Sequence, residues 1–247
     1  MKSMIVGGTR GIGLALSRRW SEEGQQLSII SRHVPAKENR LSNAKYRSID
    51  LLDTKTLGLE VAELGQTTGA INRLVFFQRY RGEGDTWEGE LAVSLTSTKI
   101  FVDGLVDCGH FAGEGQHSIV IIGSLASRFV TREQSLAYHV SKAGLVQLVR
   151  YYAVHLGSQG IRVNAVSSSA VIKDENRAFY ECNQDVSDLY QEISPLGRMA
   201  RSEDIVNAVD FLSSDRASFI TGQELLVDGG LGLQWHESMA RQIRGID

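Results

Sequence analysis

Short, almost wholly apolar runs alternate along this chain with longer stretches in which apolar residues recur every three or four positions. The short runs are "SMIVG" (3–7), "QLSII" (26–30), "YRSI" (46–49), "RLVFF" (73–77), "SIVIIG" (118–123), "IRVNAVS" (161–167) and "ELLVD" (224–228). Val, Ile and Leu occupy both faces of these runs, which predicts strands buried on both sides. The intervening stretches, such as "GLALSRRWSEEG" (13–24) and "SLAYHVSKAGLVQLVRYYAVHLG" (135–157), predict helices, and the first closes on Gly24, a residue suited to a C-cap. Strand–helix alternation from end to end predicts an α/β fold, a doubly wound parallel sheet of about seven strands with helices on both faces. No linker or composition break divides the chain, so residues 1–247 read as a single domain. The stretch 171–195 is polar and irregular and predicts an excursion over a site; residues 231–247 read as a polar tail.

Composition narrows the function classes. A hydrophobic content of 42% over 247 residues is that of a globular chain with a sizeable core. The net charge of −3 supplies no basic footprint for nucleic acid and no polybasic membrane patch. "MKSMIVGG" is too short for a signal peptide, and no apolar run reaches membrane-spanning length. Cys108 and Cys182 fit neither a disulfide framework nor a zinc pattern, and the six histidines form no HExxH pair. A cytoplasmic, metal-free protein is expected.

Two patterns carry chemistry. "IVGGTRGIG" (5–13) places Gly7, Gly11 and Gly13 between the first strand and the first helix. There, glycines permit a tight turn, and the helix N-terminus offers amide donors to a diphosphate, as in Rossmann-type dinucleotide sites. NAD-binding folds end the second strand on a carboxylate; this chain has Ser31 and Arg32, with Arg10 in the glycine loop. Two guanidinium groups suit a 2′-phosphate and point to NADP(H). In "AYHVSKAG" (137–144), Tyr138 and Lys142 stand at i and i+4 and so share a helix face. A nearby cation favours the phenolate, which suits Tyr138 to general acid work on a carbonyl oxygen.

Together these pieces resemble the short-chain dehydrogenase/reductase family over residues 4–230, most closely the 3-oxoacyl-(acyl-carrier-protein) reductases. "VGGTRGIG" matches the family's TGxxxGIG except at Val6, "SIDLLD" carries its aspartate as Asp50, "IIGSLAS" its serine as Ser124, and "YHVSK" its YxxxK. "GIRVNAVS" and "ITGQELLVDGG" resemble its sixth strand and C-terminal strand. The resemblance implies a catalytic set of Ser124, Tyr138 and Lys142. It implies cofactor contacts from Gly7, Thr9, Arg10, Gly11, Ile12, Gly13, Ser31, Arg32, Asp50 and Leu51, from Tyr138 and Lys142 to the nicotinamide ribose, and from the Val171 backbone to the carboxamide. The expected activity is NADPH-dependent ketone reduction.

Three departures stand against the family pattern. Phe76, Phe77, Gln78 and Arg79 replace NNAG, a bulkier expected wall; Ser94 replaces the asparagine that anchors a water; and "SSS" (167–169) replaces Ser-Pro-Gly, an expected loosening. A second reading is therefore a catalytically weak subunit that scaffolds an active relative. A dimer or tetramer, of identical or related chains, is expected through "LVQLVRYYAVHL" (145–156) and "ELLVDGG". Phe179, Tyr180, Leu189 and Tyr190 would form a lid over an apolar substrate, first a 3-oxoacyl thioester, second a cyclic or aromatic ketone.

Overall fold

The computed structural model describes residues 1–83, 86–112 and 115–246. Every expected strand forms: β1 (Lys2–Val6), β2 (Gln26–Ser31), β3 (Ala44–Ser48), β4 (Arg73–Phe76), β5 (His117–Ile122), β6 (Ile161–Ser168) and, closing the sheet, β9 (Glu224–Val227). They pair in the order β3-β2-β1-β4-β5-β6-β9, parallel throughout. A short parallel pair, β7 (Val171–Ile172) with β8 (Ala200–Arg201), lies outside this sheet.

The period-two alternation of a strand explains why both faces are apolar. Met4 and Val6 of β1 join one core cluster with Ile30, Leu74, Phe76, Ile119 and Val163. Helices α2 (Leu57–Thr68), α4 (Ser97–Asp107) and α5 (Leu136–Leu156) cover that face. Ile5, between them, points to the opposite cluster with Ile29, Val75, Val120 and Val166, covered by α1 (Gly11–Glu22) and α8 (Ser202–Ser213). Alternate residues of one strand thus bury on opposite sides, and the sheet is doubly wound.

Strand order reverses at β1, where the chain winds first outward to β3 and then back to β4. The carboxyl ends of β1 and β4 therefore part into a crevice, the place where such folds bind ligands. Helix α3 (Thr86–Glu90) runs into α4 through a widened π turn, Leu91–Thr96. Such turns insert an extra residue per turn and recur at functional sites.

Two regions differ from the sequence expectation. The 171–195 stretch is not irregular: it contains β7, α6 (Arg177–Cys182) and α7 (Gln184–Ile193). Its period was hidden by polar residues on a helix that has only one partly covered face. The stretch after β9 is not a free tail, since α9 (His236–Arg244) forms and Gln242 Nε2 donates to the Glu192 carbonyl at 3.2 Å. Gln234 Nε2 likewise donates to Ile193 O, tying the C-terminal stretch to α7. Asp247 lies outside the described residues.

Candidate active site

The glycine loop follows from close packing. Gly7 takes φ +84°, and a Cβ there would lie 2.9 Å from the Gln78 backbone nitrogen. A Cβ on Gly13 would lie 2.2 Å from the Gly7 carbonyl oxygen, so only glycine lets the first turn of α1 close against the end of β1. Gly7, Thr9, Arg10, Ser31, Arg32, Asp50 and Leu51 all line one cavity of about 190 Å³. Arg10 and Arg32 are both exposed there; Arg32 Nε donates to His33 Nε2 at 3.2 Å.

A second cleft of about 530 Å³ adjoins it, sharing Arg10, Phe77, Gln78 and Arg79 as walls. Gly11, Ile12, Gly13, Ser124, Tyr138, Lys142 and Val171 line this second cleft. The structure thus brings the expected catalytic and cofactor-facing residues to one continuous groove at the carboxyl ends of the strands.

Local sequence sets the catalytic geometry. Ser135 opens α5 by accepting the Tyr138 N–H on its hydroxyl at 3.2 Å, which fixes the phase of the first turn. Tyr138 and Lys142 then share a face, with Lys142 Nζ 5.6 Å from the centroid of the Tyr138 ring. Lys142 is only 4% exposed and donates to the Ile122 carbonyl at 2.9 Å. Burial pushes its pKa down to about 8; the Glu90 charge works against that shift and the Arg79 charge with it. Ser124 follows β5, and its Oγ accepts the Ala126 N–H at 3.2 Å. His139 is a strut: Nδ1 meets the Ser135 carbonyl at 2.8 Å and Nε2 accepts the Thr131 N–H at 2.9 Å. That pairing requires the Nδ1–H tautomer and pins the loop before α5.

The departures from the family pattern have definite structures. Phe76 is no part of a cofactor wall; it is buried and packs edge-on to Phe101, with centroids 6.2 Å apart. Gln78 Nε2 donates to Thr98 Oγ1 at 2.8 Å. Arg79 reaches across the groove, its guanidinium 4.8 Å from the Tyr138 ring centroid and its Nη2 2.8 Å from Gln134 Oε1. The "SSS" segment is not loosened at its start, because Ser167 Oγ donates to Glu224 Oε1 at 2.7 Å and Ser167 is fully buried. Ser94 lies in the π turn at 1% exposure, and its hydroxyl donates to Glu90 Oε2 at 3.2 Å rather than into the groove.

Two side chains at the site carried no readable sequence signal. Glu175, from the turn between β7 and α6, accepts the Gly11 N–H on Oε1 at 2.5 Å across 164 residues of chain. Glu90, in "TWEGELAVSLT", looks like one solvated charge among several, yet it is 5% exposed and burial pushes its pKa up. Of the expected lid aromatics, Tyr180 and Tyr190 line the groove; Phe179 and Leu189 point outward, 55% and 41% exposed. Val171 lines it too, with its carbonyl accepting from Asn176 Nδ2 at 3.0 Å.

These residues fit a dinucleotide. A carboxylate already seated on the Gly11 amide shows that the α1 N-terminus accepts an anion, as its backbone donors and dipole require.

Comparison with known proteins agrees. The family model described as enoyl-(acyl carrier protein) reductase matches residues 6–232. Glucose 1-dehydrogenase of Gluconobacter oxydans is 27% identical, covering 94% of this chain and 92% of that protein. Cis-4-hydroxycyclohexanecarboxylate dehydrogenase of Sinomonas cyclohexanicum is 28% identical over 92% of this chain and 95% of its own. The crystal structure of a gluconate 5-dehydrogenase from Burkholderia cenocepacia, in complex with NADP and tartrate, superposes with a TM-score of 0.79 at 25% identity, covering 95% and 96% of the two chains. With this sheet order and groove, the match over nearly the whole chain makes the protein a member of the short-chain dehydrogenase/reductase family, oxidoreductases that interconvert alcohols and carbonyl compounds with a nicotinamide cofactor.

Proposed function

We propose that this chain is an NADP(H)-dependent oxidoreductase that interconverts a ketone and a secondary alcohol through Ser124, Tyr138 and Lys142. The observation that carries the reading is their convergence in one groove with the glycine loop. When bound, the nicotinamide supplies or removes the hydride at the carbinol carbon. Tyr138 Oη gives its proton to the carbonyl oxygen in reduction and takes it back in oxidation. Lys142, held by the Ile122 carbonyl, keeps its amino group 5.6 Å from the centroid of the Tyr138 ring. The Ser124 hydroxyl, fixed by the Ala126 amide, offers a donor to the developing oxyanion.

Cofactor choice rests on Arg10 and Arg32, both exposed in the adenosine-side cavity beside Ser31. Each charge-assisted contact to a 2′-phosphate should contribute about 1.5–3 kcal/mol, enough for at least tenfold preference over NADH. The NADP named in the Burkholderia complex supports this reading by analogy. The substrate reading stays with a carbonyl compound small enough for a cleft of about 530 Å³. The relatives named for cyclic and polyhydroxy substrates favour a ring or polyol ketone beside the 3-oxoacyl thioester. Screening NADPH oxidation against acyl thioesters, cyclic ketones and keto sugars tests it; no turnover with any of them sinks the enzymatic reading.

Tyr151 and Val154 stand 54% and 79% exposed on α5, and Leu225 38% exposed on β9. Their exposed apolar surface supports a dimer or tetramer. A monomer by light scattering at micromolar concentration refutes it.

A further inference from the structure

The groove that holds Tyr138 carries more positive charge than its chemistry uses. Arg10, Arg79, Arg81, Lys142 and Lys173 line the cleft of about 530 Å³, and among the described residues Glu133 is the one carboxylate lining it. Lys142 stands beside Tyr138 and Arg10 belongs to the glycine loop, which leaves Arg79, Arg81 and Lys173. None of these three forms an ion pair among the described residues. Burial, and then the charges of Arg81 and Arg79, pull the Lys173 pKa down, while Glu175 works the other way. Like charges gathered in this way repel, and they are kept at least cost where the ligands bring anions.

The cations divide by position. Lys173 lies at the glycine loop, where its Cδ would stand 3.1 Å from a Cβ on Gly11. The phosphates of a dinucleotide belong at that end. Arg79 lies at the other, with its guanidinium carbon 4.8 Å from the Tyr138 ring centroid. Its Nη2 donates to Gln134 Oε1 at 2.8 Å, a bond from the loop after β4 to the loop before α5. That uses one of five guanidinium N–H groups and leaves the exposed remainder facing the cleft. Such a fork matches a planar carboxylate by two parallel hydrogen bonds.

We propose that the carbonyl substrate is an oxo acid whose carboxylate binds Arg79 while its keto oxygen faces Tyr138. This rests on the oxidoreductase reading of the groove and names a substrate class for it. The carboxylate takes no part in the bond changes: hydride adds to the keto carbon, a proton adds to its oxygen, and NADPH becomes NADP+. Arg79 occupies the place of the last glycine in the family's NNAG, so the selectivity comes from a side chain that the family pattern lacks.

The test compares acetoacetate, levulinate and the cyclohexanone carboxylate substituted on the opposite ring carbon, each beside its methyl ester. The wild type should reduce at least one acid with kcat/KM about tenfold or more above that of its ester. In R79Q, kcat/KM for that acid should fall about tenfold further than for the ester, chiefly through KM. R79K keeps the charge without the fork and should recover part of the loss. A second readout needs no turnover: calorimetric titration with glutarate, a dicarboxylate without a ketone, in the presence of NADP+. R79Q should bind it at least about tenfold more weakly than the wild type. Acids and esters reduced alike, or no glutarate binding by the wild type, overturn the proposal. So does a loss of NADPH affinity in R79Q as large as the loss for the acid, which would assign Arg79 to the cofactor. A wild type that reduces no ketone overturns the oxidoreductase reading instead, and the glutarate titration still decides whether Arg79 holds a carboxylate.

Discussion

At the glycine-loop end of the groove the close-packed surface is backbone, with the Glu175 carboxylate seated on the Gly11 amide at 2.5 Å and the exposed Arg10 beside it. The catalytic end is built of side chains and is cationic, with Arg79 and Lys142 at 4.8 and 5.6 Å from the centroid of the Tyr138 ring. Each end carries the charge opposite to what it must hold or stabilise only in part: amides already hold an anion, and cations wait beside a phenol. The difference teaches that the seat for an anion at Gly11 depends on strand–helix geometry, whereas the character of the other end depends on a few side chains and, for Lys142, on burial.

That contrast breaks most readily at Tyr138. Y138F removes the proton and keeps the packing, so turnover should fall by roughly 10²–10⁴-fold while nucleotide binding persists. Stopped-flow rates beside a fluorescence titration of NADPH check both halves. An unchanged rate would mean that the catalytic end has been misplaced.

The charge of Lys142 offers the next largest effect, on stability. Its pKa falls from 10.5 in the unfolded chain to about 8 in the fold. Between those values the unfolded chain binds the proton that the folded chain has released, so folding gains stability as pH rises from about 8 to 10.5. The gain is about 3 kcal/mol at most and disappears in K142M. Urea unfolding of both proteins at pH 7.5 and 10 measures it. Tyr152, kept protonated by burial and by its bond to Asp103, acts in the opposite sense above pH 10 in both proteins and cancels in the comparison.

Smaller effects sharpen the glycine-loop end. R10A and R32A should each cut the preference for NADPH over NADH by about tenfold without altering NADH affinity. Equal losses for both nucleotides would assign these arginines to the diphosphate instead. E175Q removes the carboxylate charge from the α1 N-terminus, and nucleotide binding should tighten by about two- to fivefold. Weaker binding in E175Q would show that Glu175 supports the bound state rather than competing with it.

How much of this was legible in the sequence divides along the same line. Strands such as "SIVIIG" and the glycines at 7, 11 and 13 could be read directly, because buried strands need continuous apolar runs and a tight turn needs residues without a Cβ. Tyr138 and Lys142 could be paired because helical spacing alone sets them side by side. Phe76 was misread as a groove wall, since a strand's last residue faces core or cleft according to the sheet's pleat, and that phase is settled by packing against Phe101.

The sequence by itself determined the alternation of elements, the parallel sheet and the helix that carries Tyr138 and Lys142, since each depends on periodicities of a few residues. Only the tertiary structure decided that Glu175 reaches Gly11, that α9 is tied to α7, and that Glu90 is buried. A charged side chain reads the same in a string of letters whether water or protein surrounds it. Its solvation, and hence its pKa, depends on segments that lie far away along the chain and meet only in the folded state.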